Sequence, residues 1–399
     1  MESAIHVIVA GGGIGGLAAA LSVARRGRRV IVLERRAEFT ELGAGIQLAP
    51  NAFHMLDLLG VGDEVRGRAV HVSELRCMDG TTGERVGSME LTGAYRRRFG
   101  NPYSVVHRSD LYQPLLDACR RDGLIELRTS SAVVGYRQDT ARVTTVTDGG
   151  EEFTAAALIG ADGIRSAVRQ QVIGDGEPVV SGQTIYRSLL PMDQVPEELR
   201  WNAVVLWAGP GWNFVHYPVG GGSLLNLAAT RTDGASRPVA GLPAGKAHVM
   251  AQFPQLHDSA RRLLDLGEEW RSWVLCDREP QAGWTDGRVT LLGDAAHPML
   301  QYATQGAAMA LEDAVLVGAL LDCGRDAVVQ RLEKYNAERR ERTARAQWVS
   351  RELVPTVFNP TGAAARQRNA MLSSFTQDDF YDKVSWLHGF RGTGQGADR

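Results

Sequence analysis

Apolar positions at the start of the chain fall into two short blocks with a helical stretch between them. Ile5, Val7, Ile8 and Val9, and then residues 30–33, are runs rich in β-branched residues of the kind that fills a sheet buried on both faces, and residues 17–24 are apolar at helical spacing. The pattern predicts strand, turn, helix and strand over residues 5–36. Residues 106–119 predict a strand entering a helix, with Leu111, Leu115, Leu116 and Cys119 on one side and Ser109 as its N-cap. Residues 125–163 alternate as strands and end in a buried run that delivers Asp162 at its carboxyl end. From 183 to 276 the strands lengthen and become rich in Val, Leu, Trp and Tyr, which predicts a second, antiparallel sheet with a helical interruption over 246–266. The run 289–293 then returns as a buried strand ending in Asp294, so the first domain is discontinuous. Residues 304–321 predict a buried helix. Residues 327–351 predict an amphipathic one, with Val328, Leu332 and Tyr335 inward and Arg339, Arg340, Arg342 and Arg345 on a solvated face.

The turn after the first strand reads Gly11-x-Gly13-x-x-Gly16. In this context Gly11 permits a tight turn, Gly13 lets backbone approach a pyrophosphate, and Gly16 lets the helix pack against the sheet. The helix N-terminus aims free N–H groups and its dipole at the phosphates. Glu34 follows the second strand, where a carboxylate can accept hydrogen bonds from a ribose. Two glycines within the 41–51 loop predict close packing against a bound dinucleotide.

Composition narrows the class. A chain of 399 residues with 44% hydrophobic content can fill one large or two ordinary cores. The formal net charge of −2, with arginines spread among acids, gives nucleic acid no footprint. Four scattered cysteines without a CxxC pair predict neither a zinc site nor a disulfide framework, and point to reduced thiols in the cytoplasm. No run approaches a membrane span, no metal site is predicted, and residues 391–399 read as a disordered tail.

Three separated motifs now stand in order: Gly11 to Glu34, Gly160-Ala-Asp162-Gly163-x-x-Ser166-x-x-Arg169, and Gly293-Asp294-Ala-Ala-His297-Pro298. Together they resemble the single-component FAD-dependent aromatic hydroxylases, the group containing p-hydroxybenzoate, salicylate and 3-hydroxybenzoate hydroxylases. The stretch 301–314 and the Tyr217-Pro218 pair are most similar to the 3-hydroxybenzoate 6-hydroxylases, with salicylate hydroxylases next. The resemblance implies an α/β fold like that of p-hydroxybenzoate hydroxylase. Its parts are a discontinuous Rossmann-like FAD-binding domain (1–75, 100–180 and 277–325), an inserted antiparallel-sheet substrate domain (76–99 and 181–276), and C-terminal helices (326–390). It implies that Glu34 binds the adenosine ribose, that Arg35, Gln47 and Arg108 line FAD, and that Asp294 holds the ribityl chain. Asp162 lies in a motif tied to both pyrophosphate and nicotinamide. Pro298 and the Gly306-Ala307 helix start lie beside the flavin. The burial of Asp294 at a strand end would make its carboxylate costly unless ribityl hydroxyls satisfy it.

No second dinucleotide motif is present, so NADH or NADPH is a transient visitor. The implied reaction joins reduced FAD to O2 as a C4a-hydroperoxide and hydroxylates a small phenolic substrate. In the strand 213–218, Asn213, Val215 and Tyr217 share one face while His216 faces away. Tyr217 is expected to bond the substrate and Gln301 to contact its phenol. The resembling enzymes carry a histidine at the position of Asn213, and an amide cannot act as a base at neutral pH. Para hydroxylation of a 3-hydroxybenzoate-like acid is the leading expectation. Salicylate-type or tailoring chemistry on another aromatic is the alternative, and a flavin-binding protein without chemistry a third. A substrate carboxylate needs a cation or a set of donors that the sequence does not single out; Arg187 is one candidate, and a surface or FAD-proximal role is the alternative for it. A homodimer is suggested by the resemblance alone.

Overall fold

The computed structural model describes residues 6–40 and 43–392; Ile5, the first two residues of the 41–51 loop and the 393–399 part of the tail lie outside the described residues. The β-branched runs pair side by side as predicted. One six-stranded sheet takes the order Thr285–Asp286, Val289–Leu291, Ala157–Gly160, His6–Ala10, Arg29–Leu33, Ile125–Arg128, parallel throughout except at the first pair. Val7, Ile8, Val9, Leu158 and Ile159 are fully buried there, because helices such as Ile14–Ala24 and Gly306–Leu320 cover the sheet. The helix opened by residue 108 runs Arg108–Arg121, and its N-cap is His107 rather than Ser109, since the imidazole accepts from the Ser109 N–H.

The second sheet has eight strands, in the order Ala240–Pro243, Arg271–Asp277, Val179–Pro191, Leu224–Ala235, Trp212–Val219, Ala203–Gly209, Glu74–Asp79, Arg85–Glu90. It is not wholly antiparallel: Ala203–Gly209 runs parallel to Glu74–Asp79. These two strands are joined through a long excursion that includes two strands of the first sheet, Ile125–Arg128 and Ala157–Gly160, and only such a crossover allows parallel pairing. One face buries Trp207, Trp212, Phe214 and Leu227 against the helices Lys246–Gln252 and Asp258–Leu266. The predicted single helix over 246–266 is thus two, interrupted around Pro254. The other face looks toward the first sheet and carries the site described below.

After the long helix Val328–Leu353 come a π turn, Val354–Phe358, and the helices Gly362–Ser374 and Gln377–His388. The last is fastened to the sheet edge, where Gln377 Nε2 donates to Ser88 O at 2.9 Å and Tyr381 OH donates to Glu90 O at 3.0 Å.

Val328, Leu332 and Tyr335 are buried as their spacing predicts, but the arginine run is a solvated face only at Arg340 and Arg345; Arg339 and Arg342 turn inward. Arg339 is 1% exposed and donates to Asp313 Oδ1 at 2.6 Å and to Glu312 Oε2 at 2.7 Å. Arg342 forks onto the same Glu312 at 2.7 and 2.8 Å. Glu312 and Asp313 sit inside the apolar helix Gly306–Leu320, where two bare carboxylates would each cost several kcal/mol, so the amphipathic helix must turn cations toward them. Burial alone would push the Asp313 carboxyl up; His297 and Arg339 outweigh it and hold the group well below the ordinary carboxylate range.

Replacing Arg339 by Met should destabilise the protein by about 3–5 kcal/mol in urea unfolding, because both carboxylates remain buried, while Arg340→Ala on the exposed side should change stability by less than about 0.5 kcal/mol. Equal effects would contradict the burial argument. The folded-state pKa of Asp313 is depressed, so its contribution is whole above about pH 4 and drains as the pH falls below that toward the folded value.

Candidate functional site

Gly11 has φ +108°, and a Cβ there would lie 2.3 Å from Ala161 O; one on Gly16 would lie 1.9 Å from Gly11 O. Strand end and helix start therefore touch only because both residues lack side chains. Gly13 meets nothing within 4 Å, so the first turn of Ile14–Ala24 opens onto space, and no side chain caps that helix. Glu34 stands beside it. Its Oε2 accepts from Gly12 N at 2.8 Å and its Oε1 from Arg36 N at 2.9 Å, and the neighbouring Arg35 is exposed.

Asp162 lies across the same space. Its Oδ2 caps the helix Ala167–Val172, accepting from Ala167 N at 2.8 Å and Val168 N at 3.3 Å, while its Oδ1 is buried without a partner. Burial raises its pKa, against the hydrogen bonds that lower it. Gly163 faces open space as well. Arg169, fully buried, donates to Asp175 and to the carbonyls of Ala295 and Ala296 at 2.9 and 2.7 Å, and so ties this turn to the loop of residues 293–298.

Asp294 differs from expectation. The strand ends at Leu291, and Asp294 sits in the following one-turn helix Gly293–Ala295 with its side chain exposed, so it carries no burial penalty for a ligand to relieve. Its Oδ1 is 4.0 Å from where a Cβ on Gly306 would stand. Asp294, Gly306 and Ala307 are thereby brought together at a second helix start without a side-chain cap. Pro298 is buried, its carbonyl held by Gln347 Nε2 at 2.9 Å. His297 Nε2 is 2.5 Å from Asp313 Oδ2, which also accepts from Gly293 N at 3.1 Å, so the ion cluster described above braces this loop from behind.

The sheet face opposite presents three cross-strand rows: Ile185, Thr230 and Asn213; Arg187, Ala228 and Val215; Leu189, Asn226 and Tyr217. The last row presses on the first domain. Asn226 Oδ1 accepts from Gly45 N at 2.9 Å, and a Cβ on Gly45 would lie 2.4 Å from the Tyr217 ring. Gln47, two residues on, accepts from Tyr103 OH at 2.6 Å. Arg108 is half-buried, and its side chain lies against Gly43.

In the middle row Ala228 and Val215 keep partial exposure inside the sheet, as do Leu189 and Leu206 beside them, so the face is hollowed there. Arg187 flanks the hollow and donates to Gln301 Oε1 at 2.7 Å, while its Nε is buried without a partner. The Gln301 amide nitrogen reaches Thr230 Oγ1 at 3.4 Å. Burial pushes the Tyr217 phenol up to about 12, although Arg187 opposes the shift. His216 points away, as its alternation predicts; it accepts from the Trp207 indole at 3.1 Å, and burial takes its pKa down to about 3. Asn213 is 1% exposed, with its amide 2.7 Å from that of Asn359.

Sequence reading missed Asn226, Tyr103, Asn359 and the bracing role of Arg169. Asn226 and Tyr103 lack any local signal. The Glu312-Asp313 pair did carry one, since adjacent acids in an apolar helix demand a buried cation.

The chain matches the FAD binding domain family over residues 4–349. It is 48% identical over 385 residues to 3-hydroxybenzoate 6-hydroxylase 1 of Aquipseudomonas alcaligenes, covering 96% of this chain and 97% of that one. It is 32% identical over 393 residues, 98% of each chain, to the 3-amino-4-hydroxybenzoate 2-monooxygenase PtnB3 of Streptomyces platensis. A solved salicylate hydroxylase substrate complex shares the fold with a TM-score of 0.84 at 24% identity, covering 97% of this chain and 96% of that one. Among the described residues no helix is long and apolar enough to cross a membrane. The chain belongs to the FAD-binding-domain family and, within it, to the flavin-dependent aromatic monooxygenases.

Proposed function

We propose that this enzyme hydroxylates a small phenolic carboxylate of the 3-hydroxybenzoate type para to its hydroxyl, with NADH or NADPH as transient reductant. The single observation that carries the substrate reading is Gln301, held by Arg187 over a hollowed sheet face that also presents Tyr217 and Asn213. The 48% identity to a 3-hydroxybenzoate 6-hydroxylase supports it.

The residues fit bound FAD. Gly11 and Gly16 close the turn, and Gly13 and two uncapped helix starts leave N–H groups facing open space for phosphate and flavin anion. Glu34 is placed for the adenosine ribose and Arg35 beside it. Asp162 has an unpartnered oxygen that could accept from a cofactor hydroxyl, and exposed Asp294 could accept from the ribityl hydroxyls. Gln47, Arg108, Pro298, Gly306 and Ala307 would line the bound FAD. Bound FAD would supply hydride acceptance from the nicotinamide and transfer of one oxygen atom of O2 to an electron-rich ring, the other leaving as water.

The chain's own residues bind and orient that ring. Val215, Ala228, Leu189 and Leu206 offer an apolar floor. Arg187, with an unpartnered Nε, offers a charge-assisted bond to the carboxylate. Gln301 can donate to and accept from the phenol, and Tyr217, neutral at any working pH, adds a donor. No group on this face takes a proton near neutrality, since His216 is turned away and Asn213 cannot titrate. The phenol is therefore activated by polarisation from Gln301 and the Arg187 charge rather than by a side-chain base.

The Asn213 amide also favours a second reading, a ring bearing an amino group, in line with the relative that acts on 3-amino-4-hydroxybenzoate. A cytoplasmic location agrees with four free cysteines. The homodimer rests on the resemblance alone.

In an assay of NADH or NADPH oxidation with product and H2O2 measured together, 3-hydroxybenzoate should give the 2,5-dihydroxy acid with little peroxide. Peroxide alone, or no stimulation, contradicts the substrate reading, and coupled product from amino-substituted acids alone favours the second. Gln301→Ala should lower kcat by about 10²-fold with FAD retained; a kcat within a factor of about two of the parent removes Gln301 from the chemistry. Asn213→His, by placing a group of pKa about 6.5 on the face, should raise the rate below neutral pH, and an unchanged pH profile would show that no missing base limits turnover.

A further inference from the structure

Asn359 lies beyond the matched family region of residues 4–349, yet it reaches the substrate face. It follows the π turn Val354–Phe358 and precedes Pro360, and it is 7% exposed. The turn is pinned on both sides. Arg368 Nη1 donates to Val357 O at 2.8 Å, and the Phe358 ring meets Tyr302 edge-on at 4.8 Å, next to Gln301. Ser350 Oγ accepts from Ala303 N at 3.3 Å, so the same C-terminal segment also fixes the turn that carries Gln301. Asn359 thus arrives on a rigid support, and such π turns recur at functional sites.

Its amide has two neighbours in the site, Asn213 at 2.7 Å and Thr232 Oγ1 at 3.3 Å. The Asn213 side-chain amide has two polar ends, a carbonyl and an NH2, and Asn359 engages one of them. The amide also interacts with the hydroxyl of Tyr302, the neighbour of Gln301, and lies in the row that holds Thr230. Without Asn359 the Asn213 amide could rotate about its terminal bond, and its donor and acceptor would exchange places.

We infer that Asn359 is a positioning residue that fixes the Asn213 amide, and that the two asparagines together read the ring hydroxyl of the substrate, setting the preference for a hydroxylated over an unsubstituted benzoate. The inference rests on the preceding reading that the ring lies on this face. It assigns to the C-terminal segment a share of the specificity.

The test uses the full, FAD-loaded chain titrated with 3-hydroxybenzoate and with benzoate, following the flavin absorbance. The parent should prefer 3-hydroxybenzoate. Asn359→Ala should reduce that preference by about 5–10-fold, the loss of one oriented neutral hydrogen bond, with benzoate affinity changed by less than about twofold. Asn213→Ala should do the same, and the double variant no more than either alone, because both remove one unit. Asn359→Ser gives the same readout should the alanine variant fail to retain flavin. A preference unchanged in Asn359→Ala and Asn359→Ser overturns the inference. So does parallel weakening of both ligands, as general loosening would give, or additive effects in the double variant. If neither acid perturbs the parent's flavin spectrum, the inference falls too. The expected shift in preference without hydroxylated product supports the asparagine unit while contradicting the proposed reaction.

Discussion

The site depends on a buried ion cluster that no substrate touches. Glu312 and Asp313 stand in an apolar helix and are held by Arg339 and Arg342 from the long C-terminal helix. Asp313 in turn holds Gly293 N and His297, and Glu312 accepts from Asn51, which also donates to Gln305 at 2.8 Å. Four separated segments are thereby fixed around the loop of residues 293–298 and the start of the helix Gly306–Leu320. Removing any one charge leaves the others uncompensated in a low dielectric, so the cluster persists as a unit or not at all. The geometry that places Asp294, Pro298 and Gly306 together follows from it.

Opposite that loop the second sheet supplies a face whose rows divide the labour. The row of Tyr217 and Asn226 presses on Gly45 and joins the domains. The middle row leaves a hollow beside Arg187. The row of Asn213 and Thr230 meets Gln301 and the C-terminal turn. Because strand side chains alternate, the same strands bury Trp207, Phe214 and His216 on the other side, which removes the nearby histidine from the chemistry. On the proposed reading, selecting a phenolic acid falls to neutral amides, a tyrosine and one arginine.

How much of this is legible in sequence depends on the range of the interaction. The strand–turn–helix unit is local: Gly11 and Gly16 need their identity for contacts within the turn or with a neighbouring strand, Gly13 opens the turn onto space, and spacing alone exposes all three. The alternation that puts Tyr217 and Asn213 together is equally local. The parallel pairing of Ala203–Gly209 with Glu74–Asp79 is set by a long connection, and the burial of Arg339 by acids elsewhere in the chain, so neither is written in its own segment. Asp294 shows the converse error, since a carboxylate at the end of a buried strand was read as buried when one further turn carries it into the open. The contact between Asn213 and Asn359 joins positions 146 residues apart, and composition gives no hint of it.

The central claim is that the aromatic ring lies on the hollowed face between Arg187, Gln301, Tyr217 and Asn213. A crystal structure of the FAD-loaded protein with 3-hydroxybenzoate tests it most directly. The account predicts the carboxylate on the Arg187 guanidinium, the phenol within hydrogen-bond reach of Gln301, and the ring over Ala228 and Val215. A ring bound elsewhere, or one with its carboxylate away from Arg187 and its hydroxyl out of reach of Gln301, would contradict it.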